Sequence, residues 1–209
     1  DPVAPVSMYV RSKLAGERAA AAMAVRVPLT IIRPGIVIGD GDPLTLQMYR
    51  PINKCLLHLR PTLSNYRYSF VHVDDLVELL INAAERGERV DPSSAESREI
   101  SGRYFAADDH QPTYVELGRI IGSALGKKRV FSIPVPKPIS WVIVSVQELI
   151  ARVRGRPSIV NLDKVREGSA GDWTCSSEAA KRDLDFGTPI SLVERFNRTA
   201  RWYREAGWL

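Results

Sequence analysis

The apolar positions change period several times along the chain, and each change marks an element. From Ser7 to Arg26 the sequence is rich in alanine and other helix formers. Pro5 and Ser7 precede this stretch as start signals and Pro28 closes it, which predicts a long helix. Leu29-Thr30-Ile31-Ile32 then forms a short apolar, β-branched run, the pattern of a strand buried on both faces in a parallel sheet. Pro34, Gly35, Gly39 and Gly41 follow as loop signals.

Leu44 to Leu59 reads as a helix and Tyr66 to Val73 as a second strand. Asp74 reads as an N-cap for a helix whose apolar face is Leu76, Val77, Leu79, Leu80, Ile81 and Ala84. Residues Gly87 to Glu99 are polar and read as a surface loop. Arg103 to Ala106 reads as a strand, Thr113 to Leu125 as a helix capped by Thr113, and Arg129 to Ile133 as another strand. Gly118, Gly122 and Gly126, spaced by four, fit a closely packed helix and its C-cap.

From Pro138 the character turns helical, with Ile139 to Val153 strongly apolar. Ser176 or Ser177 caps a short helix. Ser191 and Glu194 form a capping box for a last helix that runs to Ala206. Strands alternating with helices predict an α/β fold. No repeat or low-complexity tract interrupts the pattern.

Composition narrows the function classes. The 209 residues are 44% hydrophobic and 25% charged, which allows a sizeable core. The formal net charge is +5, but the basic residues come without interleaved aromatics, so nucleic acid is not an expected partner. Cys55 and Cys175 are far apart and in no CxxC spacing, and His58, His72 and His110 are dispersed. No metal site is predicted. No run reaches the roughly 18 apolar residues of a membrane-spanning helix. Reduced cysteines and a cytoplasmic location are the expectation. The chain starts Asp-Pro and opens on the approach to a helix, so it is expected to be part of something longer.

The first chemistry-bearing motif is Tyr9-Val10-Arg11-Ser12-Lys13. Tyr9 and Lys13 stand four apart, so a helix puts them on one face. A phenol is a poor acid or base near neutrality, and an adjacent ammonium favours its phenolate form. Such a pair suits proton exchange with a hydroxyl or carbonyl. By contrast, His72 reads as a packed strand residue. Gly39-Asp40-Gly41 reads as a turn, because no G-x-G-x-x-G pattern follows a strand anywhere in the chain.

Three segments together resemble the extended short-chain dehydrogenase/reductase family, also called the NAD-dependent epimerase/dehydratase family. Pro5 to Tyr9 with Arg11-Ser12-Lys13 and Ala15-Gly16-Glu17 is similar to its active-site helix. Ile32-Arg33-Pro34-Gly35-Ile36-Val37-Ile38-Gly39 resembles its strand and loop beside the nicotinamide. Phe70-Val71-His72-Val73-Asp74-Asp75-Leu76 resembles its strand-to-helix junction.

The resemblance covers the C-terminal half of that fold. It implies the last strands of a Rossmann-type parallel sheet, with a smaller, mostly helical substrate region. Residues 1–90 would hold the core and residues 91–209 the substrate-binding part, with the chain threading between them. It further implies Tyr9 as the acid/base. Lys13 would tune Tyr9 and bind the nicotinamide ribose, and Pro34, Gly35, Ile36 and Val37 would wall the nicotinamide of NAD or NADP. A homodimer is expected as well, through the helix of Tyr9 and Lys13 or through the sheet edge left open at Leu29 to Ile32.

The glycine-rich turn that takes the dinucleotide pyrophosphate is not in this sequence, nor is the strand that carries the family's catalytic serine or threonine. The chain alone is therefore expected to be inactive. Tyr68 and Ser69 stand where nucleotide-sugar enzymes of the family often carry an Arg-Asp pair. That departure counts against a nucleotide sugar, and the apolar run Ile139 to Val146 resembles the steroid-dehydrogenase-like and flavonol-reductase-like branches, which take apolar hydroxy or keto substrates. The expected parent activity is hydride transfer at a carbinol or keto carbon. The alternatives are a sugar-nucleotide epimerase or dehydratase and a non-catalytic scaffold.

Overall fold

The computed structural model describes residues 5–60, 62–91, 101–136, 138–139, 141, 166–168 and 170–209. The first helix, α1 (Met8–Ala22), starts on Ser7, whose hydroxyl accepts from the Val10 amide. One tight turn, Met23–Val25, follows it. β1 (Ile31–Pro34) and β2 (Ile36–Ile38) are almost one strand, divided at Gly35. The remaining elements are α2 (Pro43–Cys55), β3 (Leu57–Arg60), β4 (Phe70–His72), α3 (Val73–Arg86), β5 (Arg103–Ala106), α4 (Tyr114–Ala124), β6 (Phe131–Pro134), α5 (Glu178–Leu184) and α6 (Leu192–Glu205).

Every strand pair is parallel: β1 with β5, β2 with β4, and β3 with β6. The predicted α/β class therefore holds. Gly35 is where the chain leaves one neighbour for another. Its own N–H donates to Ala106 O, while the next N–H, of Ile36, donates to Ser69 O. A Cβ at Gly35 would lie 2.6 Å from Ser69 O, so the crossing has room only for glycine. β4 stands between two apolar cores. Phe70 packs with Ile38, Tyr49, Leu117 and Phe196, and its neighbour Val71 packs with Leu79, Tyr104 and Leu184. Alternation along a strand sends successive side chains to opposite faces, so one short strand serves both cores.

Several boundaries differ from the sequence reading. The helix expected over Leu44–Leu59 ends at Cys55, because Leu56 turns left-handed (φ 60°) and Leu57 starts β3. Short apolar runs fit strand or helix equally well, and here pairing with β6 settles the matter. The strand expected at Leu29–Ile32 begins at Ile31 and is only half-buried, since β5 is its one neighbour among the described residues.

His72, not Asp74, caps α3: its Nδ1 accepts from the Asp74 amide at 3.2 Å. The apolar face read on α3 is only partly used. Leu79 and Ala83 are buried, while Val77, Leu80 and Ile81 are exposed. At α5, Ser177 is the first cap residue, but its hydroxyl donates to Ala107 O, and Ser176 accepts from the Glu178 amide instead.

Other expectations stand. Thr113 and Glu116 form a complete capping box on α4; at the start of α6 only half of the expected box is present, since Ser191 accepts from the Glu194 amide while the Glu194 carboxylate accepts from Asn197. Gly118 and Gly122 pack against His58 and Val130, and Gly126 (φ 73°) turns the chain out of α4. Cys55 and Cys175 are both free thiols. Most of the apolar stretch Ile139–Val153 lies outside the described residues.

Candidate functional site

α1 brings Tyr9 and Lys13 together on one face, as their spacing requires. The Lys13 ammonium lies over the Tyr9 ring, 5.4 Å from its centroid. Both side chains are exposed, Tyr9 to 53%.

Continuing the same four-residue step reaches Glu17, which fastens the helix to the sheet. Arg33 of β1 grips the Glu17 carboxylate with two nitrogens, at 2.9 and 2.5 Å. Arg103 of β5, itself buried, approaches it at 3.4 Å. Burial pushes the Glu17 carboxyl up, but hydrogen bonds and charge from Arg33 and Arg103 outweigh it and hold the group below the usual carboxylate range. Glu17 was legible as part of a motif, but its role was not. The signal that could have found it is the i, i+4, i+8 series Tyr9, Lys13, Glu17 facing a strand that carries Arg33.

This clamp orients the helix. The short link from Ala22 to Ile31 makes α1 run antiparallel to β1, so the head of α1 lies toward the carboxyl end of the strand. Tyr9 stands eight residues before Glu17, about 12 Å along the axis. At that end the chain presents Pro34, Gly35, Ile36 and Val37. Pro34, Ile36 and Val37 are exposed, and Gly35 is half-buried beneath Ser69. The carboxyl end of parallel strands is where α/β sheets bind ligands.

The backbone of this wall is held firmly. Ser69 is buried. Its carbonyl takes the Ile36 amide at 2.8 Å, its amide donates to Trp173 O at 2.8 Å, and its hydroxyl accepts from the Cys175 amide at 3.0 Å. Burial outweighs that serine's influence and pushes the Cys175 thiol up. On the other side, Ser7 at the head of α1 is buried, and its hydroxyl donates to Glu167 Oε1 at 2.6 Å. A cavity of about 270 Å³ opens here, lined by Val6, Ser7, Met8, Arg11 and Arg166.

The Phe70–Leu76 segment serves as scaffold. Asp75 is buried and pairs closely with the buried Arg195 of α6, and Asp74 receives Arg195 and Arg198, each at 3.1 Å. Burial raises the Asp75 carboxyl in spite of Arg195. It likewise lowers His72, with the Arg195 charge adding to the effect. Among the described residues no group of His, Cys, Asp and Glu could hold a metal ion, and no helix is long and apolar enough to cross a membrane.

Comparison with known proteins places this geometry. Residues 1–95 match the model of the NAD dependent epimerase/dehydratase family. Over 98% of its length the chain is 27% identical to the ceramide reductase of Caulobacter vibrioides, and it spans 59% of that protein. Its fold is similar to that of a nucleoside-diphosphate-sugar epimerase from Pseudomonas aeruginosa, with TM-score 0.66, 21% identity, and coverage of 97% of this chain and 57% of that one. It is also similar to a dTDP-glucose 4,6-dehydratase from Streptomyces venezuelae solved with NAD bound, with TM-score 0.67, 18% identity, and coverage of 99% and 54%. The chain therefore has the parallel α/β architecture of the corresponding part of these Rossmann-type enzymes, and it spans a little over half their length.

Proposed function

We propose that this chain is the C-terminal part of an extended short-chain dehydrogenase/reductase, and that the whole protein is an NAD(P)-dependent oxidoreductase acting at a carbinol or keto carbon. The observation that carries this reading is the Tyr9–Lys13 pair on a helix clamped through Glu17 to the strand that ends in the Pro34–Val37 wall. The match of residues 1–95 to the epimerase/dehydratase family supports it.

The residues present suit the nicotinamide end of the cofactor. Pro34, Ile36 and Val37 offer an exposed, mostly apolar wall, and Gly35 keeps the backbone flush with it. Lys13 supplies donors for a ribose hydroxyl. When bound, the nicotinamide supplies or accepts the hydride. Tyr9 then gives a proton to the carbonyl oxygen as it becomes a hydroxyl, or takes it back in oxidation. The Lys13 ammonium lies over the Tyr9 ring, 5.4 Å from its centroid. We assign residues 1–90 to the nucleotide-side core and residues 91–209 to the substrate region. The small residues Ala15, Gly16 and Ala19 to Ala22 on α1 suit a homodimer contact between helices.

On substrate, the ceramide reductase relative and the Tyr68-Ser69 pair favour an apolar hydroxy or keto compound. The second reading, a sugar-nucleotide epimerase or dehydratase, is supported by the structural neighbours that act on such sugars.

The test is Tyr9→Phe in the whole protein. The ring stays and the proton donor goes, so turnover falls by roughly 10²–10⁴-fold while NAD(P)H binding, followed by fluorescence, is retained. Near-normal turnover in the Phe variant would remove Tyr9 from the mechanism. Net consumption of NAD(P)H with product separates a reductase from an epimerase, which returns its hydride.

A further inference from the structure

The head of α1 is held by a residue from a distant part of the chain. A helix leaves its first amides unpaired and its N-terminus partly positive, and a carboxylate nearby offsets that charge. α1 has no acidic side chain in its first turn. Its cap, Ser7, accepts from the Val10 amide through its hydroxyl and from the Arg11 amide through its carbonyl, each at 3.1 Å. The same buried hydroxyl donates to Glu167 Oε1 at 2.6 Å, across 160 residues of sequence. Glu167 thus supplies the carboxylate that the helix lacks, through a charge-assisted hydrogen bond.

Glu167 is itself tied to the sheet. Its carbonyl accepts from Trp173 Nε1 at 2.8 Å. Trp173 bridges in parallel to Tyr68: its amide donates to Arg67 O at 2.9 Å, and its carbonyl takes the Ser69 amide at 2.8 Å. The Asp172 carboxylate accepts from the Arg67 amide at 2.8 Å, and the Cys175 amide donates to the Ser69 hydroxyl at 3.0 Å. Ser69 O in turn receives the Ile36 amide, in the wall that follows Gly35. One line of contacts therefore runs from the cap of α1 through Glu167, Trp173 and Ser69 to that wall.

The Glu17 clamp grips α1 about three turns further along and leaves its first turn to be fixed by something else. Tyr9 stands in that turn, two residues after the cap. Reaction rates depend steeply on the placement of the reacting group, and a shift of about 1 Å is worth roughly 10²-fold. We infer that Glu167 is a positioning residue for Tyr9, acting through Ser7 to hold the first turn of α1 in register with the Ile36 wall. The inference rests on the reading of Tyr9 as the acid/base.

The test is made in the whole protein with Glu167→Ala, Glu167→Gln, Ser7→Ala and the Ser7→Ala, Glu167→Ala double variant. Amide hydrogen exchange over the first turn of α1 needs no substrate. It should run about tenfold faster in Glu167→Ala than in wild type. With NADPH and ethyl benzoylacetate, an apolar keto ester, as probe, kcat should fall about tenfold while NADPH affinity stays within about twofold. Gln keeps an oxygen that accepts from Ser7, so Glu167→Gln should restore both readouts. The double variant should be no worse than Ser7→Ala, because both residues act through one hydrogen bond. Glu178→Ala, which removes an exposed carboxylate on α5, should change neither readout. Urea denaturation checks that each variant folds, and Trp173→Phe, which removes the donor to Glu167 O, takes the place of Glu167→Ala if that one does not.

Wild-type exchange in Glu167→Ala, faster exchange with unchanged kcat, a Gln variant as impaired as the Ala variant, or additive losses in the double variant would overturn the inference. Near-normal turnover in Tyr9→Phe instead removes the acid/base reading, and exchange then still decides whether Glu167 holds the head of α1.

Discussion

His58 couples the stability of this protein to pH. Its side chain is 2% exposed, stacks on Tyr114 with ring centroids 4.5 Å apart, and lies 2.9 Å from Tyr114 O through Nε2. A carbonyl can only accept, so Nε2 carries a proton and donates it to Tyr114 O. Burial, reinforced by the Arg60 charge, pushes His58 down to about 4 from an ordinary 6.5, even though the hydrogen bond to Tyr114 O opposes it.

A histidine with a depressed folded value takes up its proton more readily in the unfolded chain. Its contribution is complete above about pH 6.5 and is lost as pH falls toward 4. The gap between the two values is worth about 3 kcal/mol. His58→Gln keeps an N–H for Tyr114 O and cannot titrate, although it gives up the stacked ring at every pH.

Urea unfolding of both proteins from pH 7.5 to pH 4 isolates the effect. The advantage of wild type over variant should shrink by about 3 kcal/mol across that range. His72, which burial also lowers, acts in the same window but is present in both proteins and cancels. A difference that stays flat to within about 0.5 kcal/mol would refute the argument, since His58 would then titrate alike in folded and unfolded chains.

Two further outcomes can be measured by unfolding. Arg195→Met leaves Asp75 buried without its partner and should cost about 3–5 kcal/mol at pH 7. The loss should shrink near pH 4, because the Asp75 carboxyl is already raised and its protonation removes the unpaired charge. Gly118→Ala would place a Cβ 2.6 Å from the His58 ring and should cost about 1–3 kcal/mol. Gly16→Ala, on the same chemical change in α1 with nothing within 4 Å, should instead raise the thermal midpoint and add about 0.5–1 kcal/mol.

Much of the fold could be read from order and spacing, because the relevant physics is local. Helix starts at Ser7, Thr113 and Ser191 follow from side chains that satisfy free amides a few residues away. The parallel class follows from short apolar runs set between helices. Tyr9 and Lys13 meet because a helix repeats nearly every four residues, and the glycines at 118, 122 and 126 pack as their spacing implies.

The remainder depended on partners distant in sequence. Nothing near Leu57 says strand; pairing with Phe131–Pro134, more than seventy residues on, makes it one. Asp74 has the chemistry of a cap, yet Arg195 and Arg198 on α6 claim its carboxylate, and His72 performs the capping. Glu17 gains its role only when Arg33 and Arg103 arrive on adjacent strands. Capping, periodicity and turn chemistry act within a few residues and are written in the order of side chains. Register, ion pairing and the sorting of faces are set by long-range contacts, and these exist only once the chain has closed on itself.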